Sequence, residues 1–173
     1  MRRASWQEYQ KDIADDKYYY ARSCIRQNFF PGSEKAFLDI LTNNLGIDIY
    51  DDPLHTSCTG IGYHSDIVPL ETIMTVVARQ CSLMADAGYE HCISSCITSF
   101  GIYNEVLATW EEFPETEART RRYLKEATGR DLVKPRSIAH TSDIIFYHRA
   151  AIARRAKRML VNVHTGEPLR VVE

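Results

Sequence analysis

One stretch limits the fold more than any other: "DIVPLETIMTVVARQCSLMADAG", residues 66–88. Leu70, Ile73, Met74, Val77, Cys81 and Met84 recur at helical spacing over 66–87, and Gly88 ends the run. A helix so apolar on one face needs a surface to cover. Short runs on either side offer one, because "KYYYARS" (17–23), "IDIY" (47–50) and "YEHCIS" (89–94) read as strands. Between the first two, "PGSEKAFLDILTNNLG" has Pro31 near a helix start, Gly46 at its stop, and Phe37, Ile40 and Leu41 on one face. "IRQNFF" reads as a loop and "DDP" as a turn. Beyond the third strand come helices over about 99–112 and 115–128, the second ending at Gly129. "SIAHTSD" then leads into a last long helix carrying Ile144, Ile145, His148, Ala151, Ile152 and Met159, and "EPLRVVE" closes as a strand would begin. Strands alternating with helices predict an α/β fold, a Rossmann-like parallel sheet flanked by helices.

In such sheets ligands sit at the carboxyl ends of the strands. Cys24, Cys58 and the Cys92/Cys96 pair all fall at or near predicted strand ends. Three separate segments therefore deliver sulfur to one edge. The middle one, "HTSCTGIGYHSD" (55–66), sets a cysteine beside two glycines and a histidine, which lets backbone pass close to another group. Five cysteines are many for a reducing compartment. The odd number argues against a disulfide framework and leaves buried thiols, redox chemistry or metal ligation. Cys81 lies on the apolar stripe of its helix and reads as core. Cys92 and Cys96, four apart, suit one site or core packing alike.

Several classes are excluded or thin. No window holds enough consecutive apolar residues to span a membrane. "MRRASWQEYQKDIADDK" lacks the apolar core of a secretory signal, so a cytoplasmic protein is expected. "GIG" is not the dinucleotide fingerprint. A zinc site from His55, Cys58 and His64 has suitable donors without C-x2-C or H-E-x-x-H spacing, and a Cys58–histidine hydrolase pair lacks nameable oxyanion donors. The net charge of −2 conceals a split, with 8 basic and 16 acidic residues up to Phe113 against 13 basic and 7 acidic beyond it. The basic run "RAAIARRAKR" (149–158) reads first as a solvated helix face, then as a docking surface for an acidic partner; nucleic acid comes last, since the chain is not basic overall.

A cysteine after the first strand, "SCTG" after the second and "CISSC" after the third resemble the cysteine-rich CCG domain, the building block of the family of heterodisulfide reductase B subunits. "YYYARSCIRQNFFPG", "CTGIGYHSDIVPLETIMTVVARQ" and "LVNVHTGEPLRVVE" look like the N-terminal half of the B-type subunit of the sulfur-oxidising heterodisulfide reductase-like complex. That family places five thiolates round a noncubane [4Fe–4S] iron–sulfur cluster, usually in tandem domains. The resemblance implies residues 1–16 as an extension and 17–173 as the first CCG-type domain of such a pair, the second half absent from this chain. It implies Cys24, Cys58 and Cys96 as ligands, with Cys92 a stand-in. Thr59 and Ile93 occupy the two remaining ligand positions, so the motif is degenerate and a cluster on this half is impaired or absent. Ser57, Thr59 and His64 would shape the loop, with His64 a candidate proton donor to a leaving thiolate. The implied partners are a flavin-containing A-type subunit, an iron–sulfur C-type subunit and a lipoate-binding or other sulfur-carrier protein. The implied chemistry is oxidoreduction of disulfide or sulfur-bearing thiol substrates, or, in a second reading, a non-catalytic scaffold for the active half.

Overall fold

The computed structural model describes residues 13, 16–55, 58, 60 and 64–155. Four strands form one parallel sheet in the order β2-β1-β3-β4. They are β1 (Lys17–Ala21), β2 (Asp48–Tyr50), β3 (His91–Ser94) and β4 (Ser137–His140). Tyr19 pairs with Tyr50 on one side and with Cys92 on the other, and Cys92 pairs in turn with Ile138. All-parallel sheets are buried on both faces, and the strand residues sort accordingly. Tyr19, Ala21, Cys92 and Ile138 pack in one apolar cluster, whereas Tyr18, Tyr20, Ile93 and Ala139 pack in another. The mixed α/β, Rossmann-like architecture expected from the strand–helix alternation is present.

The helices follow from local signals. α1 (Cys24–Phe29) begins at Ser23, whose hydroxyl accepts the Arg26 N–H at 3.2 Å. Composition suggests a loop for this segment, and the Ser23 cap is what organises it into a helix. α1 stops at Phe30, which precedes Pro31 and is driven out of helical geometry. α2 (Pro31–Asp39) runs on into a wider π-turn, Ile40–Leu45, which ends at Gly46 with φ 76°. Phe37 and Leu41 from this element cover the Tyr18/Tyr20 face.

α3 (Leu70–Asp86), α4 (Ile97–Glu112) and α5 (Pro114–Thr128) pack on the opposite face. α3 starts four residues later than its periodicity suggests, because Pro69 sits extended at the cap and Asp66 has φ 54°. Gln80, inside α3 and 1% exposed, accepts the Tyr103 hydroxyl from α4, so the buried amide oxygen is satisfied. α6 (Thr141–Tyr147) and α7 (Arg149–Arg155) follow β4.

Two further elements differ from expectation. "SIAH" is a fourth strand, not a lead-in to a helix, and its four residues are too few for periodicity to betray. The last helix is broken at His148 into α6 and α7, whose residues Arg149–Arg155 include none that is buried. Most of the N-terminal extension, Met159 and the closing "EPLRVVE" lie outside the described residues. Among the described residues, no helix is long and apolar enough to cross a membrane.

Candidate functional site

β1 lies at the middle of the sheet with β2 on one side and β3 on the other. The chain therefore reverses direction across the sheet between β2 and β3, and the carboxyl ends of β1 and β3 flank the resulting crevice. Each strand sends one reactive side chain to this edge. Cys24 opens α1 after β1, Cys58 follows β2, Cys96 caps α4 after β3, and His140 caps α6 after β4.

The first two adjoin, and the third stands in the same electrostatic field. Cys24 neighbours Cys58, and both Cys58 and Cys96 act electrostatically on its thiol. The backbone holds them there through specific contacts. Gly60 is buried against the start of α4, where an added Cβ would stand 2.4 Å from Thr98 Cγ2 and 3.3 Å from the Thr98 carbonyl carbon. Only a glycine lets the Cys58 loop lie this close to the helix that Cys96 caps. The Ser94 hydroxyl accepts the Cys96 N–H at 3.2 Å and donates to the Cys96 carbonyl at 3.1 Å. Beneath them the Tyr20 hydroxyl donates to Glu34 Oε1 at 2.7 Å and meets the Ser95 hydroxyl at 2.7 Å. Arg22 pairs with Asp51, joining the segments that leave β1 and β2.

The three thiols differ in character. Partial burial pushes the Cys96 thiol up, but N–H and hydroxyl hydrogen bonds from Ser99 and Thr98 outweigh it and hold the pKa below the ordinary value. Those donors are the first turn of α4, where a helix favours negative charge. Desolvation, then the neighbouring Cys58 and Cys96, push Cys24 the other way. Cys24 and Cys58 are exposed and Cys96 is half-buried, so all three are open to reagents.

The other candidates are elsewhere. Cys92 is 3% exposed on the α3/α4/α5 face, near Cys81, and burial pushes its thiol up to about 12. Ile93 is fully buried on the opposite face. His64 is exposed, with its N–H bonded to the Gly60 carbonyl at 3.1 Å. Ser57 and Thr59 lie outside the described residues. His55 turns into the core, its ring 5.6 Å from that of Tyr19, whose hydroxyl donates to Asp52 at 3.1 Å.

The donor set falls short of the implied groups. Among the described residues no three His, Cys, Asp or Glu side chains are spaced to hold one metal ion. The edge offers three thiols where the resembling family uses five, and the position matched by Ile93 is apolar core. Among the described residues, therefore, the donors are too few for a noncubane cluster of that type, and His55, Cys58 and His64 are not grouped as a zinc set.

Two residues of this edge escape a reading of the sequence. Arg26 and His140 line one groove together with Ser33, Phe37, Thr141 and Ile145. His140 Nδ1 accepts the Ser142 N–H at 3.3 Å while Asp143 accepts the His140 N–H at 3.3 Å, a reciprocal cap. Burial holds the His140 pKa below the ordinary value, with Asp143 opposing. The signal is "HTSD", legible only once histidine is admitted as a capping residue.

His55 gives this region a pH dependence. It is 4% exposed, and among the described residues its Nδ1 has no hydrogen-bond partner. Burial lowers its pKa to about 4, against Asp52, and with Arg22 and Arg79 assisting. The folded value lies below the unfolded value of about 6.5, so the folded state resists protonation. Its full contribution is present above about pH 6.5 and is lost as pH falls towards 4. Urea melts are expected to show a loss of about 2–3 kcal/mol between pH 7 and 4.5, reduced in His55→Phe by most of that amount. Equal acid sensitivity in both proteins rules His55 out as the cause.

No protein-family model matches the chain. The chain is similar to the B subunit of the ferredoxin:CoB-CoM heterodisulfide reductase of Methanosarcina acetivorans, 28% identical over 92 residues. The match covers 53% of this chain and 29% of that relative, so the chain spans less than a third of the curated relative it matches.

Proposed function

We propose that this chain is the first half of a heterodisulfide reductase-like redox subunit, and that it handles sulfur at the carboxyl edge of its sheet through Cys24, Cys58 and Cys96. One observation carries the reading: Cys24, Cys58 and Cys96, from three separate segments, lie along the carboxyl edge at the switch point of a parallel sheet, with Cys24 and Cys58 adjoining. Core cysteines of this fold behave otherwise, as Cys81 and Cys92 do, each among apolar neighbours and with a raised pKa. The similarity to a heterodisulfide reductase B subunit supports the same assignment. In this reading the substrate is a disulfide or sulfur-bearing thiol. The partners are a flavin-containing and an iron–sulfur subunit, with a sulfur carrier such as a lipoate-binding protein as donor. Sulfur oxidation, a cytoplasmic setting and a second domain in tandem belong to the same proposal.

A scaffold role has one observation in its favour, the buried Ile93 at a position the resemblance gives to a ligand. Turnover separates the two. The complex containing this chain is purified anaerobically from its own cells and assayed for disulfide reduction by a reduced dye. A triple serine variant at Cys24, Cys58 and Cys96 is expected to lower the rate by on the order of tenfold or more. Unchanged turnover in a correctly assembled variant complex makes this half a scaffold.

A further inference from the structure

Between α2 and α6 runs a groove of about 350 Å³ that the cysteines do not line. Ser33, Ala36, Phe37 and Ile40 recur at helical spacing along one wall, and Thr141 and Ile145 belong to the other. Phe37 is buried and Ile145 stays open to solvent, so the groove has an apolar interior and an accessible rim. Its size and apolar walls are those of a small-molecule site. The polar groups come from the carboxyl edge of the sheet. Arg26 of α1 and His140 at the end of β4 both line the groove. His140 Nδ1 accepts the Ser142 N–H at 3.3 Å, so the neutral imidazole carries its proton on Nε2 and is a donor there. The Phe100 ring stands edge-on to the imidazole, centroids 5.9 Å apart, and holds its plane. Among the described residues no carboxylate lines the groove: Glu34 of α2 accepts the Tyr20 hydroxyl at 2.7 Å, and Asp143 accepts the His140 N–H at 3.3 Å. Among the same residues Arg26 forms no ion pair.

We propose that this groove binds a small aliphatic carboxylate, its head held by the Arg26 guanidinium and the His140 Nε2–H and its chain laid along Phe37, Ile40 and Ile145. Charge complementarity selects the head, because the lining offers one cation, one neutral donor and no acid. A guanidinium matches the planar carboxylate through two parallel N–H bonds, and such charge-assisted pairs are the strong ones. The apolar wall selects the tail. From residue 33 to residue 40 a helix rises roughly 10 Å, enough to lie beside a chain of roughly eight carbons. The seat is separate from the sulfur chemistry proposed above, since no cysteine lines it. It stands or falls independently of what Cys24, Cys58 and Cys96 do.

The test titrates the full chain with sodium octanoate at pH 7, read by calorimetry and by methyl NMR, with acetate and 1-octanol as the headless and tailless comparisons in reverse order. One octanoate per chain is expected, with a Kd of about 0.1–1 mM, the strength a ligand of this size attains. Acetate lacks the chain and 1-octanol the charge, and each is expected to bind at least about tenfold more weakly. The methyl signals of Ile40 and Ile145 are expected to shift, and those of Ile25 and Ile97, next in the chain to Cys24 and Cys96, to stay in place. Arg26→Gln is expected to weaken octanoate by about tenfold while leaving 1-octanol unchanged, with Arg26→Lys between. Ala36→Trp, at an exposed wall position, is expected to block octanoate outright. Circular dichroism checks that each variant is folded; should Arg26→Gln fail that check, Ala36→Trp and the 1-octanol comparison decide. Equal affinity for 1-octanol and octanoate, or undiminished binding by folded Arg26→Gln, overturns the proposal at its head. Shifts confined to other parts of the chain, or binding untouched by Ala36→Trp, overturn it at its seat. Absence of heat and of shifts up to about 10 mM octanoate overturns it altogether.

Discussion

Trp110→Ala is expected to destabilise the fold by about 3–5 kcal/mol, the loss that follows when a large aromatic side chain is deleted from a closed core. The indole is 1% exposed on α4 and packs in the cluster with Met74, Val77 and Leu124, so its removal opens a cavity where three helices meet over the sheet. For a domain of this size the midpoint of thermal unfolding falls by roughly 10 °C or more. A companion variant isolates the packing from the polar edge of the ring. Among the described residues Trp110 Nε1 is buried without a hydrogen-bond partner, so phenylalanine removes an unpaired N–H while keeping an aromatic ring. Trp110→Phe is expected to recover more than half of the loss. Thermal melts of the three proteins decide the point; a midpoint for Trp110→Ala within about 2 °C of the parent contradicts the core assignment.

Gly60→Val acts on the site instead of the core. Its first side-chain atom meets both the methyl and the carbonyl carbon of Thr98, and the branched methyls of valine leave no rotamer free of contact. Overpacking of this kind costs about 1–3 kcal/mol in a closed core, and less where a loop can lift away. Lifting is the expected outcome, because Cys58 is exposed and its neighbour at 60 is what ties it down. The melting midpoint is expected to change little. Oxidation of Cys24 to Cys58 by a mild copper catalyst is expected to slow by on the order of tenfold or more, since sub-ångström placement governs such reactions. Gly60→Ala is expected to fall between. Equal oxidation rates in all three proteins remove Gly60 as the clamp.

The long apolar stripe of α3 and the stop signals at Gly46, Gly88 and Gly129 make most of the architecture legible in the sequence. All three glycines adopt positive φ, so the stops rest on backbone geometry and not on composition. β4 and α1 are not legible. A four-residue strand in a parallel sheet carries no alternation, and α1 depends on one hydroxyl that also suits a turn.

The site shows the same division. Cys24, Cys58 and Cys96 can be assigned to one edge from sequence because strand ends of a parallel sheet share it. Cys92 is not separable from Cys96 by spacing. A four-residue separation puts two side chains on one face only within a single element, and in this chain β3 ends at Ser94 and α4 begins at Ile97. Cys92 belongs to the pleat of the strand and Cys96 to the helix cap. The pairing of His140 with Arg26 in one groove stays hidden because nothing in sequence links residues so far apart.

The central position of β1 has a consequence for how the chain is made. β1 is the first of the four strands to leave the ribosome, yet its neighbour β3 lies about seventy residues downstream. At ordinary synthesis rates that interval lasts roughly 4–15 s. Throughout it, "KYYYA" is an aromatic, extended segment with one open flank and no cover on either side, the composition that pairs readily with copies of itself. β2, only three residues long, shields the other flank poorly. The nascent chain thus passes through its most pairing-prone interval early, before β3 exists to close the open flank of β1.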